Sequence, residues 1–402
     1  MALSFSRART TRVALALALL LPVPLVAEVQ WTPVIRMGEL FPSYIIATAT
    51  AKPKTNTIHN FFGDLRGQIG VKATSRANNA KVRVAVSSTK LIRESSLTVQ
   101  LPRANTAYHI FPKLEYDYDA LYAALEPFPE TVTVRVSEYN AAGKAQVTEK
   151  KVVVDVRSLY DCLHGFVDAV NNRHESTSWM TAAFVDENAS ILDEILQQAL
   201  KSGIVSSINN GYKKGQAGVV LQVYAIWDAL QRHGIKYSSI SATSDASKRV
   251  SLQHIRLVGD ALTYQQANCV EGSVLFASLF KKTGIITDLV LVPRHCFICV
   301  YLDKERQIPF FIETTMLGLT VKQSKQFDEG SPLAAVNKAK AGHEDTFNTF
   351  VTAQASAYKK YHSYDNDPER DTKRKLINIS ECRKMGITPL KAPVPAGAKH
   401  AS

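Results

Sequence analysis

The chain has 402 residues, 46% of them hydrophobic and 21% charged, with a formal net charge of +12 and five cysteines. That length admits two or three domains with cores of their own. There is no HExxH, no Walker loop and no glycine-rich dinucleotide fingerprint, and no nucleic-acid recognition motif accompanies the positive charge, so those function classes are set aside.

The chain opens with Arg7, Arg9 and Arg12, then an unbroken apolar run over residues 13–21, Pro22, Pro24 and a small residue at Ala27. This pattern predicts a secretory signal peptide over residues 1–27. A membrane span is the poorer reading, since the stretch falls short of about 20 residues and holds two prolines. The expected mature protein is exported, periplasmic or secreted, with no stable membrane insertion. Cleavage removes three arginines and no acid, which takes the net charge from +12 to +9. The densest basic cluster, Arg370, Lys373, Arg374 and Lys375, reads first as a solvated surface and second as an affinity for anionic wall polymers or membrane surfaces.

Residues 28–156 read as one β-rich domain. Short segments rich in β-formers fall at 44–49, 68–74, 81–87 and 97–101, and two longer ones, 131–138 and 147–156, flank the turn Asn140-Ala141-Ala142-Gly143. Short strands without a long helix predict an all-β immunoglobulin-like sandwich, used as a spacer or a substrate-docking module.

A helical block is expected over 159–231. Ile191, Leu192, Ile195, Leu196, Ala199 and Leu200 share one face of a helix over 186–202, stopped by Gly203. Val219, Val220, Val223, Ile226, Trp227 and Leu230 line a second helix over 218–233, stopped by Gly234. Trp179 and Trp227 are expected in the core. A polar loop over 238–248 then leads towards residues 265–318, where the chemistry concentrates.

There Asn268 is positioned to cap a helix with Cys269 in its first turn, an apolar face behind it, and Gly284 closing after Lys281 and Lys282. A thiol at that point faces unpaired N–H groups and the positive end of the helix dipole, which favours thiolate, and the same N–H groups can hold an oxyanion. Strands are expected over 285–292, 295–302 and 308–314, the last two joined by the polar turn 303–307. With that turn centred on Lys304 or Glu305, His295 lies opposite Glu313 or Thr314, so His295 and Glu313 meet side by side. A cysteine at a helix start, facing a histidine that a carboxylate orients, is the arrangement of an activated thiol nucleophile. Singly, a helix cysteine is more often a buried small hydrophobe, and a strand histidine is more often structural. Their order and pairing together favour an active site of Cys269, His295 and Glu313. Gln265 and Gln266, just upstream, are candidate oxyanion donors, and Glu271 reads as a carboxylate favoured by the helix start.

The pieces Asn268-Cys269, Leu275-Phe276-Ala277-Ser278-Leu279-Phe280, Gly284-Ile285, His295 and Glu313-Thr314-Thr315 resemble the transglutaminase-like branch of papain-type cysteine enzymes. The acid is Glu where Asp is usual, and Phe297 stands where a Trp often follows the histidine. The resemblance implies an α+β catalytic domain of papain/transglutaminase-like fold over 157–388, in an exported bacterial protein. It implies action on amide bonds of a protein, peptide or cell-wall substrate through a Cys269 thioester, as a peptidase or amidase more than a cross-linking transferase. No cofactor is implied; calcium serves some relatives, and no acidic loop of that type appears. The competing reading is a scaffold without activity that binds wall or protein partners. A metal hydrolase is disfavoured, because the histidines lack ligand spacing.

An odd number of cysteines leaves one thiol free in an exported chain, which suits Cys269. Cys162 and Cys382, near the two ends of the catalytic region, are candidates for a disulfide. Cys296 and Cys299 have CxxC spacing, but on a strand they face opposite ways, which argues against a metal clip or redox pair. An amphipathic helix is expected over 345–361, and residues 389–402 read as a disordered Pro/Ala-rich tail.

Overall fold

A computed structural model describes residues 29–52, 58–140, 142–238, 244–246, 249–321 and 331–391. The expected signal peptide, residues 392–402 of the expected tail and much of the 238–248 loop lie outside the described residues. The protein is a mixed α+β chain with several sheets, and among the described residues no helix is long and apolar enough to cross a membrane.

Alternation of buried valines with polar residues dictates the first half. Strands Val29–Ile35, Ile69–Ser75, Ala107–Phe111 and Phe61–Gly63 lie side by side in that order, and Ala145–Val156, Phe128–Tyr139, Ala80–Ser88 and Ser95–Leu101 form a second sheet. In Phe128–Tyr139 the residues Val132, Val134 and Val136 point inward at a period of two. They join Val82 and Val84 of their own sheet and Val71, Ala73 and Ile110 of the other in one core.

Residues 44–49 do not form the expected strand; the chain is helical over Pro42–Thr48. Proline at the start supplies a preset φ, and Ile45, Ile46 and Ala47 are buried on successive sides, a pattern in which strand and helix look alike. This helix docks on the strand Asp161–Val167, where Ser43 Oγ donates to the Asp161 carbonyl at 2.5 Å. The hydrophobic core therefore runs without a break from the first sheets into the rest of the chain.

The expected helical block begins late. Asp161–Val167 is a strand in a four-stranded sheet, between His174–Ser176 and Val250–His254. It is covered on both faces and so shows no alternation. Helices follow at Leu192–Lys201 and Gly215–Arg232. Trp227 is fully buried, stacked on Phe276 with ring centroids 5.5 Å apart, whereas Trp179 is only partly buried and is not a core residue.

The sheet that carries the histidine has the order Pro309–Ile312, His295–Tyr301, Thr287–Val292, Lys375–Asn378, all antiparallel. Cys296, Ile298 and Val300 face the main core and the helix Cys269–Lys282. Phe297, Cys299 and Tyr301 face the other way, towards Ala357 and Tyr361 of the helix Glu344–His362. Cys296 and Cys299 thus point apart. The proposed Cys162–Cys382 bridge does not form: both thiols are free, Cys382 Sγ lying 3.9 Å from the Trp179 carbonyl oxygen. Nor does disorder begin at Pro389, because Leu390 is buried and its N–H donates to the Ala183 carbonyl at 2.7 Å. The basic cluster is largely neutralised. Lys373 pairs with Asp367 and Glu369, Arg374 with Asp365, and Arg370 with Asp371.

Candidate active site

The helix Cys269–Lys282 starts at the cysteine because Asn268 caps it. The Asn268 side-chain oxygen accepts from the Val270 and Glu271 N–H groups, and the Glu271 carboxylate accepts from the Asn268 N–H at 3.0 Å, a complete capping box. Lys281 and Lys282 close the last turn, and Gly284 takes the positive φ of 80° that ends it. Residues 270–280 are buried, so the helix is held on all sides and Cys269 sits at its half-buried tip.

Glu271 has a larger structural share than a dipole contact. Arg256 clamps it through Nε at 2.9 Å, Nη2 at 2.8 Å and its backbone N–H at 3.1 Å, and also donates to the Gln266 carbonyl at 3.0 Å. Burial alone would raise the Glu271 pKa, but the Arg256 and Asn268 hydrogen bonds hold it below the usual carboxylate range. The arginine thus braces the backbone on both sides of the nucleophile.

The strand pairing differs from expectation by the position of its turn. Tyr301 pairs with Pro309 and Ile298 with Ile312, and the ladder ends there. Continued, this register would set Thr315 opposite His295. Glu313 reaches the histidine by another route, as the residue that caps a short turn Thr314–Met316 beyond the strand. Its Oε1 accepts from the Thr315 N–H at 3.1 Å and the Thr315 hydroxyl at 2.7 Å, which leaves Oε2 at 2.6 Å from His295 Nε2. Its own N–H donates to the Ala353 carbonyl of the helix Glu344–His362.

With Nε2 committed to Glu313, Nδ1 is the ring nitrogen left for the sulfur, and Cys269 is near enough to His295 to act on its charge. Burial works to lower the His295 pKa. The contacts with Cys269 and Glu313 outweigh it and raise the pKa to about 9. Burial likewise works to raise the Glu313 pKa, and its contacts with His295 and Thr315 more than offset that, leaving it low. The three residues named from the sequence therefore meet in one place, with His295 between the other two.

The glutamines do not join them. Gln265 adopts a left-handed backbone, φ 52°, and its side-chain amide donates to the His233 carbonyl at 2.7 Å. Gln266 is exposed in a two-residue parallel pairing with Lys236, and no bond of its side chain to the site is present among the described residues. Both lie along an open cleft with Tyr237 and Tyr264 that Cys269 does not line. The donor nearest the sulfur is the Cys269 N–H itself. Asn268 takes the N–H groups of the next two residues, and Cys269's own N–H has no acceptor among the described residues.

Two further supporting residues were not singled out in the sequence. Ser273 Oγ donates to the Cys269 carbonyl at 2.7 Å and lies 3.3 Å from Thr314 Oγ1. A Cβ on Gly272 would come within 3.1 Å of that same Thr314 oxygen, so glycine lets the helix approach the turn that holds Glu313. The signal was available, since positions three and four after Cys269 share its helix face. Among the described residues no group of three His, Cys, Asp or Glu side chains is placed to hold a metal ion.

No family model matches the chain, and no curated protein matches it.

Proposed function

We propose that the chain is an exported thiol hydrolase that cleaves amide bonds through a thioester on Cys269. In this reading a papain/transglutaminase-like α+β domain follows an immunoglobulin-like sandwich. One observation carries the proposal: a single histidine lies beside a half-buried thiol at a helix start and is hydrogen-bonded to a buried carboxylate at 2.6 Å.

The Cys269 sulfur attacks the carbonyl carbon, and the displaced electron pair moves to oxygen, which the Cys269 N–H stabilises. The C–N bond then breaks as His295 gives its proton to the departing amine, with Glu313 fixing the ring. In the second half His295 takes a proton from water as the water oxygen attacks the thioester. The C–S bond breaks, releasing the acid and returning the thiolate–imidazolium pair. Transfer to an amine would require a site that excludes water, and the half-buried position of Cys269 favours hydrolysis. The substrate class is a protein, peptide or wall-derived amide. Export rests on the N-terminal arginines and apolar run.

Mixed peptides supplied with an excess primary amine and followed by mass spectrometry test the reaction. Free-acid products with the wild type and none with Cys269→Ala are expected. Amine adducts in the majority would make the protein a transferase, and no Cys269-dependent product would point to a binding scaffold.

A further inference from the structure

A cavity of about 950 Å³ lies away from the site, between the helix Pro42–Thr48, the strand ends at Phe166 and Ser176, and the chain after the helix Ile379–Lys384. Neither Cys269, His295 nor Glu313 lines it. We propose that this cavity binds a small organic anion with a flat aromatic body.

The flat body is argued from the wall. Tyr44 and Trp179 stand with ring centroids 6.2 Å apart and planes tilted by 50°, and Phe166 lines the same space. Trp179 keeps one side out of the core, a costly position for so large an apolar ring unless a partner covers it. The volume is of the size that encloses a small ligand, roughly 300–1,000 Å³.

The negative charge is argued from the cations. Arg36, Lys52, Arg66, Arg173 and Lys384 line the cavity, and among the described lining residues Glu175 is the one carboxylate. Arg36 is satisfied by the buried Asp168 at 2.8 Å, and Lys384 by Glu381 at 2.7 Å. Arg66 spends Nη1 on the carbonyls of Thr48 and Ala51, and its Nε is buried away from the cavity space, so the free guanidinium donors come from Arg173. Arg173 makes no side-chain bond among the described residues. A planar carboxylate or sulfonate matches the guanidinium fork.

Anilinonaphthalene sulfonate and its uncharged counterpart phenylnaphthylamine, titrated by fluorescence into the full protein, separate the two arguments. The sulfonate should saturate at one equivalent and bind at least about tenfold more tightly than the neutral probe. Arg173→Glu, at an exposed position that the fold does not need, should weaken the sulfonate about tenfold and leave the neutral probe unchanged. Trp179→Ala should weaken both, with a melting curve to verify its folding, and Cys269→Ala should weaken neither. Equal affinity for the two probes, indifference to Arg173→Glu, or loss of binding on Cys269→Ala would each overturn the proposal.

Discussion

His295 and Glu313 meet at 2.6 Å although no ladder bond pairs their strands at that point. The contact is held from the side, by the turn in which Thr315 fixes one oxygen of the carboxylate and so aims the other. Glu313→Gln keeps the size and the Thr315 contacts but can present its amide group to the ring and hold the wrong tautomer. The expected result is a native circular dichroism spectrum with turnover reduced about a thousandfold. Unchanged turnover would mean that another group orients His295.

The raised His295 pKa fixes the sign of the pH dependence. The ring is protonated below about 9, and its proton is the one given to the departing amine, so kcat/KM should fall as pH rises through about 9. In Glu313→Gln one of the influences that raise the pKa is gone, and the alkaline limb should move to lower pH. Stability follows the same rule. The advantage of wild type over His295→Gln should be full below about 6.5 and should fade as pH rises through about 9. Its size is at most about 3 kcal/mol. Denaturant melts at pH 6 and pH 10 measure it, and an advantage that grows with pH would contradict the assignment.

The five cysteines should separate cleanly. Burial pushes all four others up, Cys299 to about 12 and Cys382 to about 11, whereas Cys269 is the half-buried one. Iodoacetamide on the native protein should therefore modify one thiol, and all five after unfolding. Peptide mapping that finds Cys382 or Cys162 alkylated first would show that the helix start does not govern reactivity.

The site was more legible in the sequence than the architecture around it. The cysteine helix has local punctuation at both ends, Asn268 with Glu271 and Lys282 with Gly284, and its limits follow from those residues alone. The His295–Glu313 contact was reached through a register two residues short, because a turn centre cannot be located to one residue in a run as polar as 303–307. Asp161–Val167 was hidden because both of its faces are buried. The helix Pro42–Thr48 was hidden because Ile45 and Ile46 satisfy either period. Gln265 was misassigned because its left-handed backbone, which turns its amide towards His233, has no local signature in a non-glycine residue.

Arg256 should matter to the fold without touching the chemistry directly. Arg256→Ala leaves Glu271 buried beside an unbraced helix start, at a cost of about 3 kcal/mol. Arg256→Lys should recover part of that, because a single ammonium nitrogen cannot reproduce the planar fork that meets both Glu271 oxygens. Chemical denaturation of the three proteins orders them. A cost below about 0.5 kcal/mol for Arg256→Ala would show that the clamp is dispensable.

The thioester is the central claim, and it can be trapped without knowing the natural substrate. An activated ester, p-nitrophenyl acetate, should give a burst of nitrophenolate and an acetyl group on the Cys269 peptide in quenched samples. Cys269→Ala should abolish the burst, and His295→Ala should slow it at least about a hundredfold. Acetyl groups spread over lysines, or a burst that survives in Cys269→Ala, would contradict the account.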